Sequence, residues 1–446
     1  MAELKQEFKK VPFIYQKEIE IPTSWDYCSL SELFEIKNGF SFKSEYFVSE
    51  LNHIVLTPGN FNVKGGLYFE KRNSTGYMGP IEDEFILKNG DFLIVMTDIT
   101  RHAAILGNAG ILEHEKTILH NQRIAKAIFK KDVNKLFLYY IFNSKNYKKQ
   151  IHRTAAGTTV IHSSPKKILS CLIPIPKEIV EQDKISTILS NIDELIQSHV
   201  KTIESTKKLK KGLMQQLLTK GFNHKKFKKT QLGRKFIVEN IPEAWRTPNL
   251  EEIATVHGRI GWKNLRADEY VDSGPLMLSV WSLIDDAPYG VDYGVGVFRL
   301  SQFRYDESPE IQLQNGDVLI AKDGDIGRIG YVKELPERST LNSHVVIIRK
   351  FDDDVNSEFL YWYAQSNAFQ RYCVAFTSGT TVPLLSQKNL KRIIIPIPKK
   401  VKEQEKIASI LSTVEHKILS LINRKTKLEY IKRDLIQKLL TGQIRV

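Results

Sequence analysis

A long segment of this chain occurs twice. Leu172 to Thr219 and Ile394 to Thr441 align without a gap at a constant offset of 222 residues, and the strings IPIPK, EQ, KI and ILS recur letter for letter. Self-similarity on this scale indicates duplicated structural units. The chain must therefore fold into an architecture that uses the same elements twice.

Each copy predicts an extended entry followed by a long helix. The two prolines of IPIP cannot lie inside a helix, and no proline follows them in either copy. Apolar residues then recur at steps of three and four, which forms one seam suited to coiled-coil pairing. One such stripe is more often ordinary core, but two matched copies favour a pair of antiparallel helices, each about 60 Å long, that bury their seams against each other. The seam residues are Ile185, Leu189, Ile192, Ile196 and Ile203 in the first copy and Ile407, Leu411, Val414, Ile418 and Leu421 in the second.

The segments outside the helices also correspond. Asn-Gly followed by apolar residues predicts a tight turn into a buried strand in both halves, and one amphipathic helix is predicted later in each half. The string FKK of Phe8 to Lys10 recurs at Phe227 to Lys229, so the repeat is circular. The matched pairs are residues 21–30 with 241–250, 89–100 with 315–327, 121–130 with 342–350, 136–151 with 358–373, and the GTTV loops 157–160 with 379–382.

These patterns predict a mixed α/β (α+β) fold. Two globular domains would be separated by two long antiparallel coiled-coil helices in a pseudo-two-fold circular repeat. The sequences of the globules diverge strongly between the anchors, which suggests that they recognise two different things. The predicted boundaries are an N-terminal segment 1–20, a first domain 21–176, a central helix 177–220, a basic linker 221–240, a second domain 241–398 and a C-terminal helix 399–446.

Composition excludes several classes of protein. No apolar run approaches the roughly 18 residues of a membrane span, and the start MAELKQEFKK is charged, so we expect a cytoplasmic protein. The three cysteines, Cys28, Cys171 and Cys373, are far apart, which is typical of reduced thiols and excludes a cysteine-only zinc site.

The net charge of +14 is unevenly distributed. Between Lys201 and Lys235 there are twelve Lys or Arg against the single acid Glu204. If the protein binds DNA, affinity from phosphate contacts would therefore concentrate near the end of the first helix and in local loops. A solvated helix end explains the same run equally well.

Motifs for catalysis and metal binding are absent from the sequence. It contains no GxxxxGK[ST] phosphate loop, no HExxH, no Cys/His cluster at ligand spacing, and no Asn/Asp-Pro-Pro-Tyr/Phe tetrapeptide of an amino-methyltransferase. KDGDIG, residues 322–327, could form a metal or phosphate loop, but an ordinary strand-end turn is favoured. A lone histidine such as His344 in a predicted strand is more often a satisfied core residue than a base.

The order and duplication of these motifs resemble the specificity subunit of type I restriction–modification enzymes. The resemblance covers essentially the whole chain through the IPIPK…EQ.KI helices, the GTTV loops and the IP..W openings. It implies a non-catalytic subunit with two target-recognition domains that recognise the halves of a bipartite double-stranded DNA target. The helices would set the gap and dock two methyltransferase subunits.

The same resemblance implies cofactors in the partners and none in this chain. The modification subunits bring S-adenosylmethionine, and restriction subunits bring ATP and Mg. Two alternatives from other classes stay open at this point. One is a stand-alone DNA-binding or architectural protein without a methyltransferase partner, and the other is a single-chain enzyme, for which we find no motifs.

Candidate DNA contacts combine cations, aromatic rings and loops with free amides. Arg and Lys donate to guanine acceptors in the major groove, and backbone amides and hydroxyls bind phosphates. Core aromatics, surface lysines and structural loops are the competing interpretations. The candidates are Phe40, Lys43, Arg101, His102, Arg153, Thr158 and Thr159 in the first half and Arg259, Trp262, Lys263, Lys322, Arg328, Thr380 and Thr381 in the second.

Overall fold

The computed structural model describes residues 7–13, 18–100, 102–158, 160–231, 238–258, 265, 269–377 and 384–446. The chain forms two compact units. Unit 1 comprises residues 1–197 and 426–446, and unit 2 comprises residues 198–425. The predicted boundaries had made the long helices separate segments, whereas here each unit includes a part of both helices. The mixed α/β class and the circular repeat are confirmed.

Each unit contains an antiparallel four-stranded sheet and a second, mixed sheet. In unit 1 the first sheet has the order Ala109–Ile111, Phe92–Val95, Ile124–Phe129, Phe34–Asn38, and the second has the order Phe47–Val48, Thr75–Tyr77, His53–Leu56, Thr117–His120, Ile86–Leu87. In unit 2 the orders are Ala254–Gly258, Val345–Lys350, Val318–Ala321, Ile329–Tyr331 and then Val297–Arg299, Leu276–Leu278, Ser339–Leu341. One strand pair in each second sheet is parallel, His53–Leu56 with Thr117–His120 and Leu276–Leu278 with Ser339–Leu341.

The Asn-Gly turns form as predicted. Gly90 and Gly316 adopt φ angles of 86° and 96°, which suit glycine because a Cβ would be strained there. The following aspartate closes each turn: Asp91 accepts the Lys88 amide at 2.8 Å, and Asp317 accepts the Gln314 amide at 2.8 Å. The strand after each turn is buried, Phe92–Val95 in unit 1 and Val318–Ala321 in unit 2.

The prediction of one helix at residues 136–151 and one at 358–373 is wrong. Two helices form in each place, Lys135–Phe142 with Lys145–Thr154 and Ser357–Ala364 with Asn367–Ala375. A serine starts the second helix of each pair, because the side chains of Ser144 and Ser366 accept the amides of Tyr147 and Phe369. Three shorter helices are Pro165–Leu169, Gln302–Asp306 and Gln387–Lys391.

The extended IPIP segments pair with the IP..W openings. Leu172–Pro176 is antiparallel to Trp25–Ser29, and Ile397–Pro398 is antiparallel to Trp245–Arg246. A hairpin precedes each opening, Phe8–Pro12 with Glu18–Pro22 and Phe227–Gln231 with Val238–Pro242, so strands form within the predicted basic linker. The FKK strings have a common role, since Lys9 donates to the Trp25 carbonyl at 2.7 Å and Lys228 to the Trp245 carbonyl at 2.9 Å.

The long helices are the central helix, Ile179–Lys220, and the C-terminal helix, Val401–Leu439. In unit 1, Asp193 pairs with Lys432 at 2.5 Å, and Glu181 near the start of the central helix pairs with Arg445 beyond the end of the other. The segments in unit 1 are therefore antiparallel. Unit 2 repeats the pattern, because Glu415 pairs with Lys210 at 2.7 Å and Glu403 with His224 at 2.8 Å.

The repeated Glu-Gln motif joins helix and globule. We call Gln182 and Gln404 the anchor glutamines. Gln182 accepts the Asn134 amide at 3.0 Å and donates to the Pro176 carbonyl at 2.9 Å. Gln404 accepts the Asn356 amide at 2.7 Å and donates to the carbonyls of Pro398 and Asp354, both at 2.8 Å. Each anchor glutamine therefore ties the IPIP segment to the start of the amphipathic helix.

The helix seams are buried, but not as a uniform coiled coil. Ile185 and Leu189 lie in the core of the unit 1 globule, which also includes Leu439 and Leu440 of the opposite chain end. Ile407 and Leu411 lie in the core of unit 2 with Leu217 and Leu218. These seam residues thus stabilise the globule as well as the helix pair. Of the remaining seam residues, the buried ones are Ile196, Ile418 and Leu421 and the half-buried ones are Ile192, Ile203 and Val414.

None of the helices in the described part of the chain has both the length and the apolar character needed to cross a membrane.

Candidate nucleic-acid interface

Each parallel strand pair defines one edge of its unit. Parallel strands end on the same side of a sheet, so the segments that follow them begin close together. In unit 1 these segments are residues 57–60 and 121–123, and in unit 2 they are residues 279–283 and 342–344. We call the surface formed there, with the loops bonded to it, the loop edge of each unit.

Phe40 lies on the loop edge of unit 1. Its amide donates to the His120 carbonyl at 2.7 Å, and the Gln122 amide donates to the Phe40 carbonyl at 3.0 Å. The ring packs against Phe42 and Phe85 at 5.2 and 5.1 Å between centroids. Phe40 is nevertheless 38% exposed, so part of the residue remains accessible. The predicted glycine loop is therefore partly structural and partly accessible.

Two further loops join this edge in unit 1. The Met96 amide donates to the Arg123 carbonyl at 3.0 Å, and the short strands Thr97–Asp98 and Ile161–His162 pair, with Thr97 Oγ1 3.0 Å from His162 Nδ1. Buried Asp98 accepts the amides of Thr100, Ile105 and Leu106 at 2.6, 2.6 and 3.0 Å. These bonds fix residues that flank His102 and bring the strand Ile161–His162, which follows the GTTV segment, beside Thr97–Asp98.

The other described candidates of unit 1 are exposed. The Lys43 ammonium lies 3.7 Å from the Glu45 carboxylate, and the Lys43 side chain is 74% exposed. His102 and Thr158 are exposed on the joined loops, and Arg153 is exposed near the end of the helix Lys145–Thr154. Their accessibility suits phosphate or base contacts.

In unit 2 the loop edge joins three segments. The Lys322 amide donates to the His344 carbonyl at 2.9 Å, and the Leu385 amide donates to the Lys322 carbonyl at 2.8 Å. Lys322 itself is half-buried. Arg328 pairs with Asp325 at 2.8 Å and donates to the Leu283 carbonyl at 3.2 Å. The Asp325 carboxylate and the Leu283 carbonyl thus fix the orientation of the Arg328 guanidinium.

Two sequence predictions about this region have opposite outcomes. KDGDIG is an ordinary turn between the paired strands Val318–Ala321 and Ile329–Tyr331, as favoured. His344, by contrast, is not a core residue: its side chain is 40% exposed, precedes the strand Val345–Lys350, and places Nδ1 2.6 Å from Asp323 Oδ1. Loop geometry, which the alternation of apolar residues does not encode, exposes it.

Seven predicted contacts lie outside the described residues. They are Arg101, Thr159, Arg259, Trp262, Lys263, Thr380 and Thr381.

Sequence reasoning missed residues that follow a shared asparagine. Asn121 Oδ1 accepts the Arg123 amide at 3.0 Å, and Asn342 Oδ1 accepts the His344 amide at 3.0 Å. This side-chain turn presents the residue two positions after each asparagine on the loop edge. The sequence carries this signal, because the matched segments 121–130 and 342–350 both begin with that asparagine.

Burial lowers two pKa values behind the unit 1 edge. It lowers the pKa of His120 to about 4, and it lowers the pKa of Lys148 to about 7. Lys148 donates to the carbonyl of Leu106 at 2.7 Å and to Asn108. Within the described ranges, no group of His, Cys, Asp or Glu could hold a metal ion.

The basic run at residues 201–235 is partly neutralised within unit 2. Lys210 pairs with Glu415 at 2.7 Å, and Lys207 lies 3.4 Å from Asp286. Most of the other described lysines of the run face solvent.

Known proteins are similar to this chain in sequence and in fold. The chain is 26% identical over 451 residues to the type I restriction enzyme MjaVIII specificity subunit of Methanocaldococcus jannaschii, covering 100% of this chain and 99% of that protein. It is 24% identical over 401 residues to the EcoBI specificity subunit of Escherichia coli, covering 87% of this chain and 79% of that one.

Solved structures agree in fold. The crystal structure of the type I restriction–modification S subunit from M. genitalium matches with a TM-score of 0.57 at 17% identity, covering 93% of this chain and 96% of that one. The model of the family described as type I restriction modification DNA specificity domain matches residues 22–208 and 294–430, more than half of the chain. The chain therefore belongs to the type I restriction modification DNA specificity domain family.

Proposed function

We propose that this chain is the DNA-specificity subunit of a type I restriction–modification system. Each unit would recognise one half of a bipartite double-stranded target through its loop edge. The observation that carries the proposal is a shared scaffold with two different edges. The anchor glutamines, closed turns and helix ion pairs recur at matching positions. The edges differ, because Gln122 and Arg123 follow the shared asparagine in unit 1, whereas Ser343 and His344 follow it in unit 2.

The long helices would set the gap between the half-sites. A helix of 42 residues is about 63 Å long, and inserted residues would both lengthen and rotate it. Contacts with phosphates would position each unit, and contacts with base edges would select the sequence.

In this proposal the chain itself is not catalytic. Two modification subunits would supply S-adenosylmethionine and methylate an adenine flipped out of each half-site. Restriction subunits would supply ATP hydrolysis with Mg and cleavage. The assembly would act in the cytoplasm.

The proposal is tested by co-expressing the chain with the neighbouring methyltransferase gene in a host without its own adenine methylation. Genome-wide detection should find methylated adenine in a split motif with a gap of constant length. A stable complex that binds DNA but leaves it unmethylated would favour the stand-alone binding protein. Methylation or cleavage by the chain alone would favour the single-chain enzyme.

Two variants then test how the target is divided. Exchange of residues 21–172 for those of a relative should change one half-site only, and insertion of four residues after Ser198 should change the tolerated gap only. A change in both half-sites after the exchange would contradict independent recognition. An unchanged gap after the insertion would contradict the role of the helices.

A further inference from the structure

The two units contain the same short turn at the loop edge. Thr57–Asn60 follows the parallel strand of unit 1, and Ser279–Ser282 follows that of unit 2. The Thr57 amide donates to Asn60 Oδ1 at 2.9 Å, and the Ser279 amide donates to Ser282 Oγ at 3.1 Å. The next residue forms a single bridge in each case, Phe61 with Leu67 and Leu283 with Val291. The turns are therefore structurally equivalent.

The third residue of the turn differs between the units. It is Gly59 in unit 1, where the nearest atom to an added Cβ would be Thr57 Oγ1 at 3.5 Å. It is Trp281 in unit 2, and this large aromatic residue is 68% exposed. The same backbone position thus carries either no side chain or the largest one.

The turn holds Trp281 firmly. Ser279 Oγ donates to the Gly296 carbonyl at 2.6 Å and accepts the Trp281 amide at 3.2 Å, while Ser282 Oγ donates to the same carbonyl at 3.2 Å. Gly296 has a φ of 63°, and a Cβ there would lie 2.3 Å from Trp281 Cβ. A glycine is required for this close approach. The exposed ring is therefore presented by an ordered turn.

The position of Trp281 indicates its partner. The carbonyl of Leu283, two residues after Trp281, accepts a hydrogen bond from the Arg328 guanidinium. The parallel neighbouring strand, Ser339–Leu341, leads to His344. An exposed tryptophan gains most from a partner that offers both apolar surface and acceptors for the adjacent cations. Base pairs in the major groove offer both, through thymine methyl groups and guanine acceptors.

We infer that Trp281 makes an apolar contact with base pairs of the half-site recognised by unit 2, a contact that unit 1 lacks because Gly59 occupies the equivalent position. The inference rests on the proposed function. It assigns part of the sequence preference of one half-site to a residue without charge.

The test uses the chain assembled with its methyltransferase and duplex DNA that carries the target found by methylation mapping. Affinity is measured at several salt concentrations, with base substitutions in either half-site. Trp281→Gly, which copies unit 1, should weaken target binding about 10-fold, the order of one mismatched base pair. Discrimination should fall in the unit 2 half-site only, and the salt dependence should not change because no phosphate contact is lost.

Phe303 provides a matched control. It is 75% exposed and follows the strand Val297–Arg299. Arg299, the last residue of that strand, pairs with Leu276, the first residue of Leu276–Leu278. Phe303 therefore lies at the end of the sheet opposite to the loop edge. Phe303→Ala should leave binding unchanged. Trp281→Phe should retain part of the affinity, which keeps the test valid if the glycine variant does not fold. Gly59→Trp should alter the preference of the unit 1 half-site.

The outcomes separate the inference from the proposed function. The inference alone would be overturned if the wild-type complex discriminates bases in both half-sites and Trp281→Gly and Trp281→Phe bind and discriminate as the wild type does. An equal loss in Phe303→Ala, or a loss in the unit 1 half-site, would also overturn it. Absence of sequence discrimination by the wild-type complex would instead overturn the proposed function.

Discussion

Units 1 and 2 differ most where they face solvent and least where they meet the long helices. The anchor glutamines Gln182 and Gln404 share two bonds, one from an asparagine amide and one to a proline carbonyl. The equivalent turns, by contrast, carry Gly59 in one unit and Trp281 in the other. Buried polar groups must keep their partners, because an unpaired one costs about 1–3 kcal/mol. Exposed side chains carry no such constraint. The comparison separates a scaffold that cannot vary from an edge that can.

The largest stability effect should come from the anchor glutamines. Gln404→Leu removes bonds to the Asn356 amide and to the carbonyls of Pro398 and Asp354, and should destabilise unit 2 by about 3 kcal/mol. Gln182→Leu removes two bonds and should destabilise unit 1 by about 2 kcal/mol. Hydrogen exchange of peptides from each unit measures both effects.

Hydrogen exchange also tests whether units 1 and 2 unfold independently of each other. Protection should fall in the mutated unit and remain in the other. Equal loss in both units would show that they unfold together.

A buried histidine should make the two units respond differently to acid. His120 ends the parallel strand of unit 1, and its place in unit 2 is taken by the buried Leu341. Burial, with smaller contributions from Lys126 and Lys37, lowers the pKa of His120 to about 4 from the usual 6.5, although Nε2 lies 2.9 Å from the Ile124 carbonyl. Between these pH values the folded form binds fewer protons than the unfolded chain. The stability of unit 1 should therefore fall as the pH decreases from about 6.5 towards 4.

His120→Leu, which copies unit 2, should remove this acid sensitivity. Relative to the wild type, unit 1 of the variant should gain about 1–2 kcal/mol of stability when the pH falls from 7 to 5. Hydrogen exchange at pH 5 and pH 7 measures the difference. Unchanged pH dependence in the variant would assign the effect to other groups.

The smallest effects should come from the helix ion pairs. Lys210 and Glu415 are 18% and 10% exposed, whereas Lys432 and Asp193 are 22% and 33% exposed and Asp193 keeps a bond from Tyr140 at 2.9 Å. Lys210→Ala should therefore cost about 1–2 kcal/mol and Lys432→Ala about 0.5–1 kcal/mol. Chemical denaturation at low and high salt checks the order, and the reverse order would show that burial does not govern these pairs.

Much of the scaffold follows from local sequence. The constant offset predicts the duplication, the prolines of IPIP exclude helix before each long helix, and Asn-Gly specifies the turns at Gly90 and Gly316. These features act through backbone geometry and nearby residues, so they can be predicted from one amino-acid sequence. The break between the paired short helices was missed for a related reason. Apolar periodicity continues through it, and only the capping serines Ser144 and Ser366 mark it.

The loop edge depends on contacts between distant segments. The sequence named Phe40 and Arg328 as candidates, but it could not indicate that the Phe40 ring packs against Phe85 or that Arg328 pairs with Asp325. Trp281 and His344 escaped prediction because exposure is a property of the assembled sheet. The sequence by itself determined the duplicated elements and the family resemblance. Only the tertiary structure decided which side chains share an edge, because parallel pairing of remote strands places them there.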